Sequence, residues 1–353
     1  MSQDPLVNHA AFQGLPARPT DPTATPEERE PESGLRPARL GEFVGQERVV
    51  ENLRVALEAA ERRGETLDHV LFSGPPGLGK TSLARILAAE AGRGLTATSG
   101  PALERPKDLV GLLTQLAEGD VFFIDEIHRI PAPVEEYLYS AMEDFSIDFT
   151  LDQGPNARVL PLKLATFTLV GATTREGLLS APFRSRFGLL ERLSPYPTAD
   201  LERIVQRAAG LFDVVLEPAA ATTIALRSRG TPRVANRFLR RVRDYAQVAQ
   251  GAARVTIDGA TAHAALARLG VDERGLEDLD RRILVLLAAA GAQAVGLKTI
   301  AAAVGESEDT IEEVFEPHLL RLGLLQKTAR GRVITDAGRR VVGATLPEAP
   351  PGA

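Results

Sequence analysis

Residues Gly74-Pro75-Pro76-Gly77-Leu78-Gly79-Lys80-Thr81 fit the G-x-x-x-x-G-K-[ST] pattern of a phosphate-binding loop. Each position answers a chemical need. Glycines let backbone N–H groups crowd around phosphate oxygens without a Cβ clash, and the helix that follows turns its positive end toward the same anions. Lys80 would neutralise the β- and γ-phosphate oxygens, and the Thr81 hydroxyl would sit on a Mg2+ ion bridging them. With Ser82 at the start of the helix, residues 74–82 are the candidate ATP-binding loop. Forty-five positions after Lys80, the apolar run Val121–Ile124 delivers Asp125 and Glu126. A continuous apolar run suits a parallel strand buried on both faces, whose carboxyl end is where ligands bind. There Asp125 is placed to hold a magnesium-bound water, and Glu126 can orient and polarise the attacking water. Taken singly, the first motif could be a Gly/Pro surface turn and the second a strand with solvated acids. Together they imply Mg2+-dependent ATP hydrolysis.

The elements that must position these residues follow from periodicity. From residue 35 to 197, strand candidates at 69–73, 121–124 and 167–172 alternate with helical patterns at 47–63, 82–91 and 132–144, which predicts a doubly wound α/β domain. Alternating residues 145–154, answered by 159–162 across a Gly-Pro-Asn turn, predict a hairpin. Its apolar positions Ile147, Phe149 and Leu151 belong to the core by default. If the hairpin projects, they form a protein-docking surface. Residues 198–272 carry helical spacing and predict a small all-α domain containing Gly230-Thr-Pro-Arg233. Thr231 and Pro232 suit a helix start, which puts Arg233 in the first turn against the helix dipole. Arg233 reads equally as a solvated cation or as a phosphate ligand. Residues 273–345 predict three helical segments and two short strands about Arg330-Gly331-Arg332, a winged helix. Between Arg321 and Arg340 stand six basic residues and one acid, a footprint for DNA phosphates with Arg330 and Arg332 at the tip.

Composition narrows the partners little. The net charge of the 353 residues is -6, but residues 1–34 carry six acids against two arginines, with six prolines, and predict a disordered tail; residues 346–353 predict a second. No run of eighteen apolar residues and no signal pattern occur, so a soluble, cytoplasmic protein is expected. There is no cysteine, and the five histidines lack ligand spacing, so no metal beyond Mg2+ is implied.

Phe43-Val-Gly-Gln46, the phosphate loop, Asp125-Glu-Ile-His128, Gly171-Ala-Thr-Thr-Arg175, Phe183-Arg-Ser-Arg-Phe-Gly188 and Gly230-Thr-Pro-Arg233 stand in an order that resembles the AAA+ ATPases. Their particular wording resembles the bacterial motors of Holliday-junction branch migration, over about residues 35–343. The resemblance implies an AAA+ P-loop core, an all-α lid and a C-terminal winged helix. It matches Thr174 to a sensor-1 residue at the γ-phosphate, Arg186 to an arginine finger reaching a neighbouring subunit's site, and Arg233 to sensor 2 in the lid. Leu40 to Val44 and Tyr196 would flank the adenine. The partners implied are a homo-hexamer, the duplex arms of four-way junctions, a RuvA-type junction-binding protein docking on the hairpin, and a RuvC-type resolvase. The chain departs from the pattern in having Ala329, where the family usually has proline, before its wing tip. A clamp-loader-type machine would share the ATP site but lacks a reason for a basic winged helix. A non-hydrolysing DNA-binding regulator would have no use for the full set Lys80, Thr81, Asp125, Glu126 and Arg186.

Overall fold

The computed structural model describes residues 34–150 and 159–343. Both expected tails therefore lie, but for Gly34, outside the described residues. In chain order, α1 (Glu47–Arg63), β1 (Val70–Ser73), α2 (Lys80–Glu90), β2 (Leu95–Ser99), α3 (Pro106–Leu113), β3 (Asp120–Asp125) and α4 (Ala132–Glu143) lead to the hairpin β4 (Ser146–Thr150) and β5 (Val159–Lys163). β6 (Phe167–Thr173), α5 (Ala181–Arg184) and β7 (Leu189–Arg192) complete the α/β unit.

Five of these strands form one parallel sheet in the order β2-β3-β6-β1-β7. Strand side chains alternate between two faces, and here both faces are covered. Val70, Phe72, Val121, Phe123, Val170 and Ala172 pack with Leu53, Leu83, Ile86 and Leu87 on one side. Leu71, Phe122, Ile124 and Leu169 pack with Leu109, Leu138 and Phe183 on the other. Each fully buried Val, Leu, Ile or Phe side chain is worth roughly 1.5–3 kcal/mol, which is why β1 and β3 carry continuous apolar runs at Val70–Phe72 and Val121–Ile124. The edge strands β2 and β7 are part-exposed and carry no such run, so periodicity alone did not announce them. Because β6 lies between β1 and β3, the carboxyl ends of all three stand side by side.

The hairpin pairs Ile147 with Leu162 and Phe149 with Leu160. Ile147 is 1% exposed and belongs to the core beside Phe167, so it is not part of a free docking surface; Leu151 lies outside the described residues. A residue one pleat from the sheet points down into it, whatever the strand does further out.

The next unit packs α6 (Thr198–Leu211), β8 (Val215–Leu216), α7 (Pro218–Arg227), α8 (Pro232–Gln250), β9 (Thr256–Ile257) and α9 (Gly259–Arg268) about Ile224, Phe238, Leu239 and Leu266. It is not purely helical: β8 and β9 pair in parallel over two residues each, too short to leave a period in the sequence.

The C-terminal unit comprises α10 (Asp278–Ala289), α11 (Leu297–Val304), α12 (Glu308–Thr310), a π-helical turn (Ile311–Phe315), α13 (Glu316–Arg321), β10 (Leu325–Thr328), β11 (Gly331–Ile334) and α14 (Asp336–Val341). Thr328 pairs with Gly331, so the wing turns at Ala329-Arg330 rather than around Gly331. Gly331 holds φ at 140°, and a Cβ there would fall 2.4 Å from the Val295 carbonyl oxygen; only glycine lets Val295 close against Arg332 in an antiparallel bridge. Arg332 is thereby drawn inside. Its guanidinium grips Glu316 through Nε at 3.0 Å and Nη2 at 2.7 Å, and both residues are buried. The expectation that Arg332 reaches DNA is overturned; Arg330, at the turn, is exposed.

Candidate nucleotide site

The loop after β1 sets the phosphate end of the site. Gly74 takes φ of 132° where a Cβ would lie 2.4 Å from the Leu193 carbonyl oxygen, so only glycine fits, and the chain then turns through residues 75–79 into α2. No side chain caps α2 and no acid stands in its first turn, so its N–H groups and dipole are free to meet an anion. Lys80 is buried at this point. Its ammonium donates to the carbonyls of Gly74 at 2.7 Å and Pro75 at 2.8 Å, which holds Nζ across the mouth of the loop. Burial lowers its pKa to about 8, opposed by the Asp125 carboxylate and assisted by Arg233. A cation that is costly to bury and sits beside another cation is a site made for a polyanion.

Around it lies a cavity of about 970 Å³, lined by Pro76, Gly77, Leu78, Gly79, Lys80, Thr81 and Ser82, by Asp125, Glu126 and Thr174 at the ends of β3 and β6, and by Arg233 from α8. The volume accommodates a nucleoside triphosphate, whose binding sites usually enclose roughly 300–1,000 Å³. Gly74 and Pro75 lie behind the lining and act through Lys80. Phe43, Val44 and Tyr196 also line the cavity, apolar and aromatic as an adenine requires. Leu40, expected there, is instead 5% exposed in the core, its N–H donating to Glu90 Oε1 at 3.0 Å. The short helical turn Leu40–Glu42 points Leu40 inward and leaves Phe43 to face the cavity. Tyr196 donates its hydroxyl to the Leu78 carbonyl at 3.1 Å, and its N–H reaches Gly230 O at 2.9 Å, so one residue touches both the phosphate loop and the helical unit. Burial pushes its phenol far above the ordinary range, so the hydroxyl keeps the proton it donates.

At the catalytic edge, Asp125 Oδ1 accepts from the Glu126 N–H at 3.0 Å. Glu126 takes φ of 49°, a left-handed conformation that costs a non-glycine residue on the order of 1–3 kcal/mol and recurs at active sites. Its carboxylate is held by Arg129 at 2.8 Å, a partner the motif reading missed although it stands three residues on. The Thr173 hydroxyl, one residue before Thr174, meets His128 Nδ1 at 3.0 Å. Burial lowers the His128 pKa, so the ring is neutral at pH 7. Asn236 also lines the cavity. It lies three residues after Arg233, on the same face of α8, and that spacing was the signal for it.

Arg186 does not line this cavity. It stands just beyond α5, its guanidinium 4.4 Å from the centre of the Tyr139 ring, Nη1 donating to the Pro182 carbonyl at 2.7 Å and Nη2 3.2 Å from Glu143. The side chain belongs to a different face of the α/β unit. For Thr81 and Asp125 as Mg2+ ligands, the fit is chemical: a hydroxyl at the helix start and a carboxylate at the adjacent strand end are hard oxygen donors beside the phosphate cradle.

Comparison with known proteins covers the whole of this arrangement. The chain matches the sequence family described as the Holliday junction DNA helicase RuvB P-loop domain over residues 35–193, the RuvB AAA lid domain over 196–272, and the RuvB C-terminal winged helix domain over 273–343. It is 56% identical over 318 residues to the "Holliday junction branch migration complex subunit RuvB" of Latilactobacillus sakei, spanning 90% of this chain and 94% of that one. Against the Acidothermus cellulolyticus protein of the same name the identity is 53% over 349 residues, spanning 98% and 94%. Among solved structures, the Thermotoga maritima RuvB Holliday junction branch migration motor superposes with a TM-score of 0.80 at 47% identity, covering 89% of this chain and all of that one.

Proposed function

The chain belongs to the RuvB family, and on that premise we propose that it is the ATP-driven motor of Holliday-junction branch migration, working as a hexameric ring on the duplex arms of four-way junctions. One observation carries the reading: Lys80, Asp125, Glu126 and Thr174, from three adjacent strand ends, meet Arg233 of the lid around one cavity, on a chain that also carries a winged helix. The α2 N-terminus and Lys80 bind the β- and γ-phosphates. Thr81 and Asp125 would hold Mg2+, which would supply neutralisation of the phosphate charge. Glu126 takes a proton from the attacking water, released for that purpose from Arg129. Thr174 orients that water or the γ-phosphate, and Arg233 stabilises the charge from the lid side.

Arg186 supplies the further cation in trans. Its distance from its own subunit's cavity supports this reading, because a finger that cannot serve its own site makes hydrolysis conditional on ring assembly. Phe149, Leu151 and the outer hairpin receive a RuvA-type junction-binding protein, and a RuvC-type resolvase acts on the same junctions. Arg330 meets backbone phosphates, as suits a motor that passes along any sequence. A cytoplasmic location follows from the same reading, and no helix among the described residues is long and apolar enough to cross a membrane.

The test is strand exchange in a labelled four-way junction with a RuvA-type protein, ATP and Mg2+. ATP-dependent migration that Lys80→Ala abolishes is expected. ATP hydrolysis without junction movement, or tight binding confined to one duplex sequence, would replace the motor by a sequence-reading regulator.

A further inference from the structure

Arg175 follows Thr174 directly, and its side chain leaves the α/β unit for the winged helix. Nη2 lies 2.6 Å from Asp309 Oδ1, Nε lies 2.7 Å from Glu313 Oε1, and Glu312 Oε2 stands 3.7 Å from Nη2. Both glutamates ride on the π-helical turn Ile311–Phe315, a local distortion that recurs at functional sites. On its other side, the Arg175 N–H donates to Thr173 Oγ1 at 3.0 Å, the same hydroxyl that meets His128. Thr174 is thus strung between two anchors, one in the sheet and one in the DNA-binding unit, while facing the nucleotide cavity.

The winged-helix anchor continues to the wing. Glu312 Oε1 accepts from Lys327 Nζ at 2.9 Å on β10, and Arg332 Nη2 lies 3.6 Å away. Three carboxylates face the Arg175 guanidinium, and Glu312 is shared among Arg175, Lys327 and Arg332. A backbone phosphate that draws the half-exposed Lys327 away removes one of the cations competing for Glu312, leaves it to Arg175 and the buried Arg332, and tightens the interdomain contact. Burial, opposed by Arg175, raises the Glu313 pKa, and Lys327 and Arg175 lower that of Glu312.

We propose that Arg175 is a positioning residue for Thr174, and that the chain Lys327–Glu312–Arg175 carries DNA engagement on the wing to the phosphate end of the ATP site. This rests on the proposed function, in which duplex DNA meets the wing and Thr174 meets the γ-phosphate. By linkage, duplex and nucleotide must then change each other's affinity by the same factor.

Nucleotide affinity is measured for the full chain with and without a plain duplex, using a slowly hydrolysed fluorescent ATP analogue. In the unaltered chain the duplex is expected to change affinity about fivefold or more, the lower end of coupling between linked sites. In Glu312→Gln that ratio falls to near one, while nucleotide affinity without DNA keeps its original value. The lack of cysteine allows a second, DNA-free readout: spin labels on Glu104→Cys and Lys298→Cys report one interdomain distance, which Arg175→Ala broadens. A ratio near one in the unaltered chain, the original ratio kept in Glu312→Gln, or a distance indifferent to Arg175→Ala overturns the inference. A chain that binds no duplex at all overturns the proposed function with it.

Discussion

Replacing Arg332 by alanine should damage the winged helix rather than its DNA contacts. Two charge-assisted hydrogen bonds, at 3.0 and 2.7 Å, join Arg332 to Glu316, and the two side chains are only 9% and 3% exposed. Removing one partner of a buried pair typically costs about 3–5 kcal/mol, because the remaining charge is left uncompensated. Lys327 Nζ stands 3.8 Å from Glu316 Oε1 and offsets part of that charge, so the lower end, about 3 kcal/mol, is expected. At about 1.4 kcal/mol per decade, amides of the wing such as those at position 332 and at Thr335 should then exchange roughly 100-fold faster with solvent hydrogen. Hydrogen exchange followed by mass spectrometry measures this in the intact chain. Arg330→Ala, by contrast, should leave exchange unchanged and lower the slope of log DNA affinity against log salt by about 0.9. The buried double replacement Arg332→Met with Glu316→Gln, which removes both charges, should recover most of the lost protection. An Arg332→Ala chain that exchanges as the unaltered one does, yet loses salt slope, would refute the assignment of Arg332 to the core.

Glu126→Gln should bind nucleotide normally and lose turnover, while Lys80→Ala should lose binding itself; equal turnover in Glu126→Gln would remove that residue from the chemistry. Because phosphate binds the protonated Lys80, whose pKa is lowered to about 8, nucleotide binding takes up protons and affinity should fall above pH 8, by up to about tenfold per pH unit; a flat binding profile from pH 7 to 9.5 would contradict the role. Arg186→Ala subunits, inactive alone, should regain ATPase activity when mixed with Lys80→Ala subunits, and failure at every mixing ratio with rings verified would confine Arg186 to its own subunit. Ile147→Ser should lower stability by about 2–5 kcal/mol through loss of core packing, so a melting curve matching the unaltered chain would return Ile147 to the surface.

The sequence by itself determined the chemistry and the order of the parts. Lys80, Thr81, Asp125 and Glu126 are legible because phosphate and metal binding demand particular residue types at short, local spacings, and an apolar strand buried on two faces cannot hide its run. The same locality made α1, α2 and the hairpin readable. What needed the tertiary structure is whatever depends on distant segments meeting. The insertion of β6 between β1 and β3 brings Thr174 beside Asp125, and no local pattern records strand order. Arg332 looks in sequence like Arg330, two residues away on a basic wing. Only the approach of Val295 over Gly331, and of Glu316 from α13, turns one arginine inward and leaves the other outside. Leu40 and Ile147 went the same way, apolar residues whose side was set by what packed against them. Arg175 shows the limit most sharply: as a residue after a strand it carries no signal, and its meaning comes from three carboxylates more than 130 positions further along the chain.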